Sequence, residues 1–198
     1  ELAAQPVPVD SDVVTRALQD SDALVRHAGL RYLASAPPQQ LVALGWPLLE
    51  DPVRAVRTEA ARVLASLLQQ QLPAAHRQYL LARINEHEQT QQANAERPES
   101  QLNLGLIAAA QGKTQQAESA YREALRLRAD FAPAYVNLAD LYRATGDDAR
   151  AESLLLQGIK VATEVSDLHH ALGLRYVRSE RLPQAVSQSQ QASALAPH

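Results

Sequence analysis

The second half of this chain repeats with a period of 34 residues, and that period limits the fold more than any other feature. Three copies in one register run 98–131, 132–165 and 166–198. The seventh position of each copy is leucine (Leu104, Leu138, Leu172), and the eighth is small (Gly105, Ala139, Gly173). Small residues return at the twentieth position (Ala117, Ala151, Ala185) and the twenty-seventh (Ala124, Gly158, Ala192). The eleventh position reads Ala108, Tyr142, Tyr176, and the fifteenth reads Gly112, Gly146, Glu180. Small residues let two helices approach closely, leucine and tyrosine fill the seam, and glycine supplies a turn with φ > 0. One such hairpin cannot bury its apolar face alone, so neighbouring copies must stack. The expected fold class is all-α, an alpha-alpha superhelix of helical hairpins. Its helices should run near 99–111, 114–128, 132–144, 148–162, 166–178 and 182–195. The last is rich in Gln and Ser and can act as its own cap.

The first half reads as helices of a looser kind. Pro6 and Pro8 make residues 1–10 an extended arm. A short helix capped by Asp10 or Ser11 runs to Leu18, and a second starts near Asp22 and stops at Ser35-Ala36-Pro37-Pro38. A helix kinked at Gly45-Trp46-Pro47 follows to Glu50. Asp51-Pro52 is an N-cap followed by an N1 proline, opening a helix to about Gln71. Residues 73–97 connect the halves as a long helix, polar from Asn85 onward.

Composition excludes several classes of function. The net charge is −3, and no stretch clusters Lys and Arg as a nucleic-acid footprint would. There are no cysteines, hence no disulfide, thiolate metal site or cysteine nucleophile in these residues. No apolar run reaches the roughly 18–20 residues of a membrane span. The chain starts at Glu1 and holds no methionine, as expected of a piece of a longer protein. No nucleophile elbow, phosphate loop or paired-carboxylate arrangement is present, so no catalytic residue, cofactor or metal ligand is expected. His169 and His170 are adjacent on a helix and diverge by about 100°, which suits a packed, hydrogen-bonded His169 better than a shared metal. Glu86-His87-Glu88 reads as a solvated helix face, Asp147-Asp148 as an N-cap pair, and Trp46 as core at a helix junction.

On the residues of the 34-residue pattern, 98–198 resemble the tetratricopeptide repeat family in three copies without insertion. The departures are Ala129 and Thr163, where the family has proline at position 32, and Glu180 at the turn glycine. In residues 11–72, Asp20…Val25-Arg26…Leu33-Ala34 recurs 31 residues later as Asp51…Val56-Arg57…Leu64-Ala65. That pattern resembles HEAT repeats, in which the acid caps the second helix and the arginine can bond across to a neighbouring repeat. Two amphipathic helices with similar caps are the alternative. The order of elements, with Ala93–Ser100, Val136–Arg143 and His169–Leu174, is also similar to the helical tails of bacterial secreted multihaem c-type cytochromes. Such a parent would carry its haem motifs upstream and would be periplasmic or secreted.

The tetratricopeptide resemblance implies a non-catalytic scaffold that binds a protein, a peptide or another part of its parent chain on a concave face. First helices of the repeats would line that groove. The implied groove residues are Leu102, Asn103 and Leu106 in the first copy, and Val136, Asn137, Asp140 and Arg143 in the second. The third copy adds His170, Leu174 and Arg178. The family's carboxylate-clamp positions fall on Leu102, Leu106, Asn137, Asp167 and Ala171, and only Asn137 matches. A partner helix or extended peptide with an apolar anchor suits such a groove. Coverage of its apolar end by helix 73–95 is the competing expectation.

Overall fold

A computed structural model describes residues 11–162 and 165–195. The arm expected at 1–10 and the repeat-end positions Thr163 and Pro197 lie outside them. The described residues are helical, with no strand among them. They form two compact units, one of residues up to 90 together with 110–112, the other of 91–109 and 113 onward.

In the first unit, α1 (Ser11–Leu18) packs on α2 (Ala23–Leu33), and α2 packs on α4 (Arg54–Leu64). Leu30, Leu33, Leu49, Val56, Ala60 and Leu64 are fully buried between them. The expected kinked helix is not α-helical for most of its length. A single turn, α3 (Pro38–Gln40), passes into a π-helical turn over Leu41–Gly45 and then a 3₁₀ segment over Trp46–Glu50. Pro47 lacks the N–H that an α-helical ladder needs, so the chain there changes pitch rather than bending once. The next helix begins at Arg54, not at Pro52. Asp51 sits outside it, and its carboxylate accepts a hydrogen bond from the Val53 N–H at 2.8 Å. After Leu64 the chain tightens to 3₁₀ over Ala65–Gln69, and α5 (Ala74–Gln92) ends short of the expected position.

The 31-residue offset has a three-dimensional counterpart. Arg26 Nη1 donates to the carbonyls of Asp20 and Ser21, and Arg57 Nη1 donates to those of Asp51 and Pro52. Each guanidinium then reaches an acid on the following element. Arg26 pairs with Asp51 at 2.7 Å, and Arg57 with Glu86 at 3.4 Å. Burial pushes Asp51 toward the protonated form, but the Arg26 hydrogen bonds and the Val53 N–H outweigh it and hold the carboxyl below its usual range.

His87 departs from expectation. It is 5% exposed rather than solvated, because α5 turns that face toward the Glu59–Arg62 pair of α4. Neither ring nitrogen meets hydrogen-bond geometry with a described residue, although the Thr58 backbone lies close enough to favour the charged ring. Burial dominates and lowers the imidazole pKa; Arg62 adds to that effect and Glu59 opposes it. Glu59 is itself buried and gripped by Arg62 through bonds of 2.8 and 2.6 Å.

The second unit follows the 34-residue period. Its helices are α6 (Pro98–Ala110), α7 (Thr114–Leu127), α8 (Ala132–Ala144), α9 (Asp148–Val161), α10 (Ser166–Arg178) and α11 (Leu182–Leu195). All six lie within a residue or so of the expected bounds. Helix α8 packs on α9 and α10 on α11, while α8 and α10 lie side by side. The eighth, twentieth and twenty-seventh positions are buried in every copy. A Cβ on Gly105 would fall 2.3 Å from Tyr121 Cε1, and one on Gly158 2.9 Å from Tyr135 Cγ, so close ring packing demands glycine at both. The hairpin turns use φ of 75° at Gly112, 83° at Gly146 and 58° at Glu180. Glu180 therefore adopts the left-handed conformation that glycine supplies in the other copies.

Candidate functional site

The period places the first helices α8 and α10 side by side, and the register fixes which residues face the space between them. That space is a cleft of about 400 Å³. Seven of the ten residues expected in a groove line it: Val136, Asn137, Asp140, Arg143, His170, Leu174 and Arg178. Its apolar surface comes from Val136, Ala171 and Leu174, with Ala151 and Leu155 of α9 reaching it from behind. The remaining three groove residues do not line this cleft. Leu102 and Leu106 are half-buried against the core of the unit, and Asn103 Nδ2 donates to Gln91 Oε1 at 3.2 Å.

Charge is unevenly committed along the cleft. Arg143 Nε lies 3.3 Å from Asp140 Oδ1, one helical turn apart. Arg175 is nearly buried and bridges Asp148 at 3.5 Å and Glu152 at 3.6 Å. Asp167, His170 and Arg178 are exposed and make no hydrogen bond or ion pair with a described residue. Asp167 stands in the first turn of α10 and Arg178 at its last residue. The free charges thus run from acid to base along the helix, with Ala171 and Leu174 between them. Asn137, the one residue matching the clamp pattern, donates to the Pro133 carbonyl of its own helix at 2.8 Å.

His169 is the packed histidine that its position predicted, with Nδ1 2.8 Å from Gln188 Oε1 of α11. Trp46 is half-buried rather than core, with its ring centroid 5.1 Å from that of His76 and 6.1 Å from that of Tyr79. Among the described residues no group of three His, Cys, Asp or Glu side chains is arranged to hold a metal ion. No helix among them is long and apolar enough to cross a membrane.

A network absent from the sequence reading ties successive repeats together. Tyr142 O–H donates to Glu118 Oε1 at 2.8 Å and accepts from Arg122 Nη2 at 2.9 Å, while the Arg150 guanidinium lies 4.9 Å from the Tyr142 ring centroid. One repeat on, Tyr176 faces Glu152, and Arg181 lies 4.3 Å over the Tyr176 ring and pairs with Glu152. Burial raises the phenol pKa of both tyrosines, so they are neutral donors at neutral pH. The separation from Glu118 to Tyr142 equals that from Glu152 to Tyr176, a signal the period alone could have exposed.

Comparison with known proteins agrees with a helical-repeat fold. A structure of a thermophilic tetratricopeptide-repeat protein from Thermus thermophilus is similar at 20% identity over 94% of this chain and 92% of that one, with a TM-score of 0.52. A crystal structure of MamA is similar at 16% identity over 93% and 94% of the two chains, with a TM-score of 0.46. At such identities the likeness to the Thermus protein is one of fold. No curated protein matches the sequence. Neither the HEAT-like pattern nor the likeness to multihaem cytochrome tails gains support from these matches. Residues 108–174, spanning the end of the first copy, all of the second and the start of the third, match the tetratricopeptide repeat family.

Proposed function

We propose that the second unit is a non-catalytic docking module that binds a peptide or helix of a protein partner in the α8–α10 cleft. The reading rests on one observation: an open cleft with an apolar floor at Val136, Ala171 and Leu174 is flanked by an unpaired acid, Asp167, and an unpaired base, Arg178. An apolar side chain seated on that floor loses water-exposed area, worth about 1.5–3 kcal/mol for a fully buried Leu or Phe. The free charges then fix direction, favouring a ligand with its acid near Arg178 and its base near Asp167. The partner is a separate protein or another part of the parent chain. The HEAT-like reading of residues 11–72 rests on the repeated Arg26 and Arg57 geometry.

Peptides selected from a random 12-residue library test this reading. Binders that lose affinity on Arg178→Glu should compete with one another and share an apolar residue and an acid. Val136→Glu combined with Arg143→Glu should weaken them at least tenfold, while helicity and Tm stay within a few degrees. Undiminished affinity for that double variant would remove the cleft from the account.

A further inference from the structure

The opposite side of the same unit carries a second cleft, of about 310 Å³, built from α7, α8 and α9. Its floor is Leu125, Leu138 and Leu154, one leucine from each helix. Arg122, Arg150, Ser153 and Gln157 form its rim, and no carboxylate lines it among the described residues. We propose that this cleft is a docking site in its own right, for an amphipathic protein segment with an aliphatic anchor flanked by Asp or Glu. This inference stands apart from the α8–α10 cleft and does not depend on it.

Three features carry the assignment. First, the two arginines are held in place but not used up. Arg122 spends Nη2 on Tyr142 and Glu118, and Arg150 spends Nε on Asp147 at 3.3 Å. A guanidinium has five N–H donors, so Arg150 keeps its Nη1–Nη2 edge for a two-bond contact with a carboxylate, while Arg122, with Nη2 committed, keeps Nε and Nη1 for single bonds. Their side chains are 60% and 56% exposed, yet the Tyr142 hydroxyl and ring fix both, which lowers the entropy a ligand must overcome. Second, the lining carries cations and no carboxylate: Glu118 and Asp147 pair with the two arginines at 2.8 and 3.3 Å but do not line the cleft. Third, the arrangement belongs to this junction only. One period on, the places of Arg122 and Arg150 are taken by Leu156 and Gln184. A purely structural repeat feature would recur; this rim does not.

The probe is a fluorescein-labelled peptide of repeated Glu-Leu-Leu-Glu units, with a Lys-Leu-Leu-Lys counterpart, titrated into the whole chain by anisotropy. The acidic peptide should bind and the basic one should not. Arg122→Glu and Arg150→Glu should each weaken binding roughly tenfold or more. Arg126→Glu, which reverses an equally exposed arginine of α7 outside the cleft, should leave it unchanged. If charge reversal unfolds the chain by circular dichroism, the neutral pair Arg122→Gln with Arg150→Gln replaces it, with the same loss expected. Three results overturn the proposal: no binding of the acidic peptide by the wild-type chain at millimolar concentration, full binding by the double variant, or equal binding of the basic peptide. Loss on Arg178→Glu instead would put the peptide in the α8–α10 cleft, which also overturns it.

Discussion

Arg26 holds Asp51 through two parallel hydrogen bonds, Nε to Oδ2 at 2.7 Å and Nη2 to Oδ1 at 3.0 Å, across 25 residues of sequence. The same carboxylate caps the Val53 N–H, so one buried acid ties the 3₁₀ segment, α2 and the start of α4 together. Asp51→Asn keeps a capping oxygen but removes the charge. It should cost about 2 kcal/mol, read as a fall in the urea midpoint at pH 7. The folded pKa of Asp51 is depressed, so its stabilisation is present above the unfolded carboxylate range and is lost as pH falls through the lower folded value. The wild-type and Asp51→Asn curves should therefore converge in acid. Parallel curves down to the acid transition would contradict the pairing.

The three repeats offer the same position to opposite outcomes. Gly105→Ala drives a methyl group into the Tyr121 ring, which is 1% exposed and cannot swing away, and should cost about 1–3 kcal/mol. Gly173→Ala meets nothing nearer than Ser189 Oγ at 3.4 Å, so helix propensity dominates and the chain should gain up to about 1 kcal/mol. Chemical denaturation of the two variants side by side checks the pair. Equal effects would mean that the seam at Tyr121 is looser than described.

Glu180 holds φ of 58° where its counterparts are glycine. A left-handed conformation costs a side-chain-bearing residue about 1 kcal/mol, so Glu180→Gly should raise stability by roughly 0.5–1 kcal/mol. An unchanged or lowered melting temperature would show that Glu180 is held there by something other than the turn.

His87 gives the chain a pH response in the mildly acidic range. Its folded pKa is lowered, chiefly by burial, so the folded state keeps the ring neutral while the unfolded chain takes up a proton below about 6.5. Stability should be flat above that value and fall as pH drops from 6.5. The groups facing the ring are Glu59 and Arg62, with His27 close to Glu59, and none of them donates to it. His87→Leu should raise stability by about 1 kcal/mol at pH 7.5 and flatten the profile between pH 7 and 5.5. A variant that keeps the wild-type slope would assign the response to another group.

The second unit was legible because close helix packing needs small residues at fixed places, and a repeat prints that need three times. Leu138, Leu172 and the alanines and glycines of the seam carry the whole pattern, and the helix bounds follow. That the second- and third-copy residues line the α8–α10 cleft was legible for the same reason. That the first-copy residues lie away from it was not, since Leu102 and Leu106 turn partly into the core and Asn103 spends its amide on Gln91. The first unit was harder. Nothing in the local sequence of Glu86-His87-Glu88 shows that α4 presents Glu59 and Arg62 to that face, and Pro47 signals a break without saying that the pitch widens and then tightens. The Arg122–Tyr142–Arg150 rim was missed because arginine in a helix reads as solvated. Only the Tyr142 ring and hydroxyl reveal that both are held.

Hydrogen–deuterium exchange, with and without a library-selected peptide, tests the central claim most directly. The account predicts added protection concentrated on 132–144 and 166–178, the two helices that form the charged apolar cleft. Protection confined to 114–127 and 148–161, or spread evenly over the chain, would contradict it.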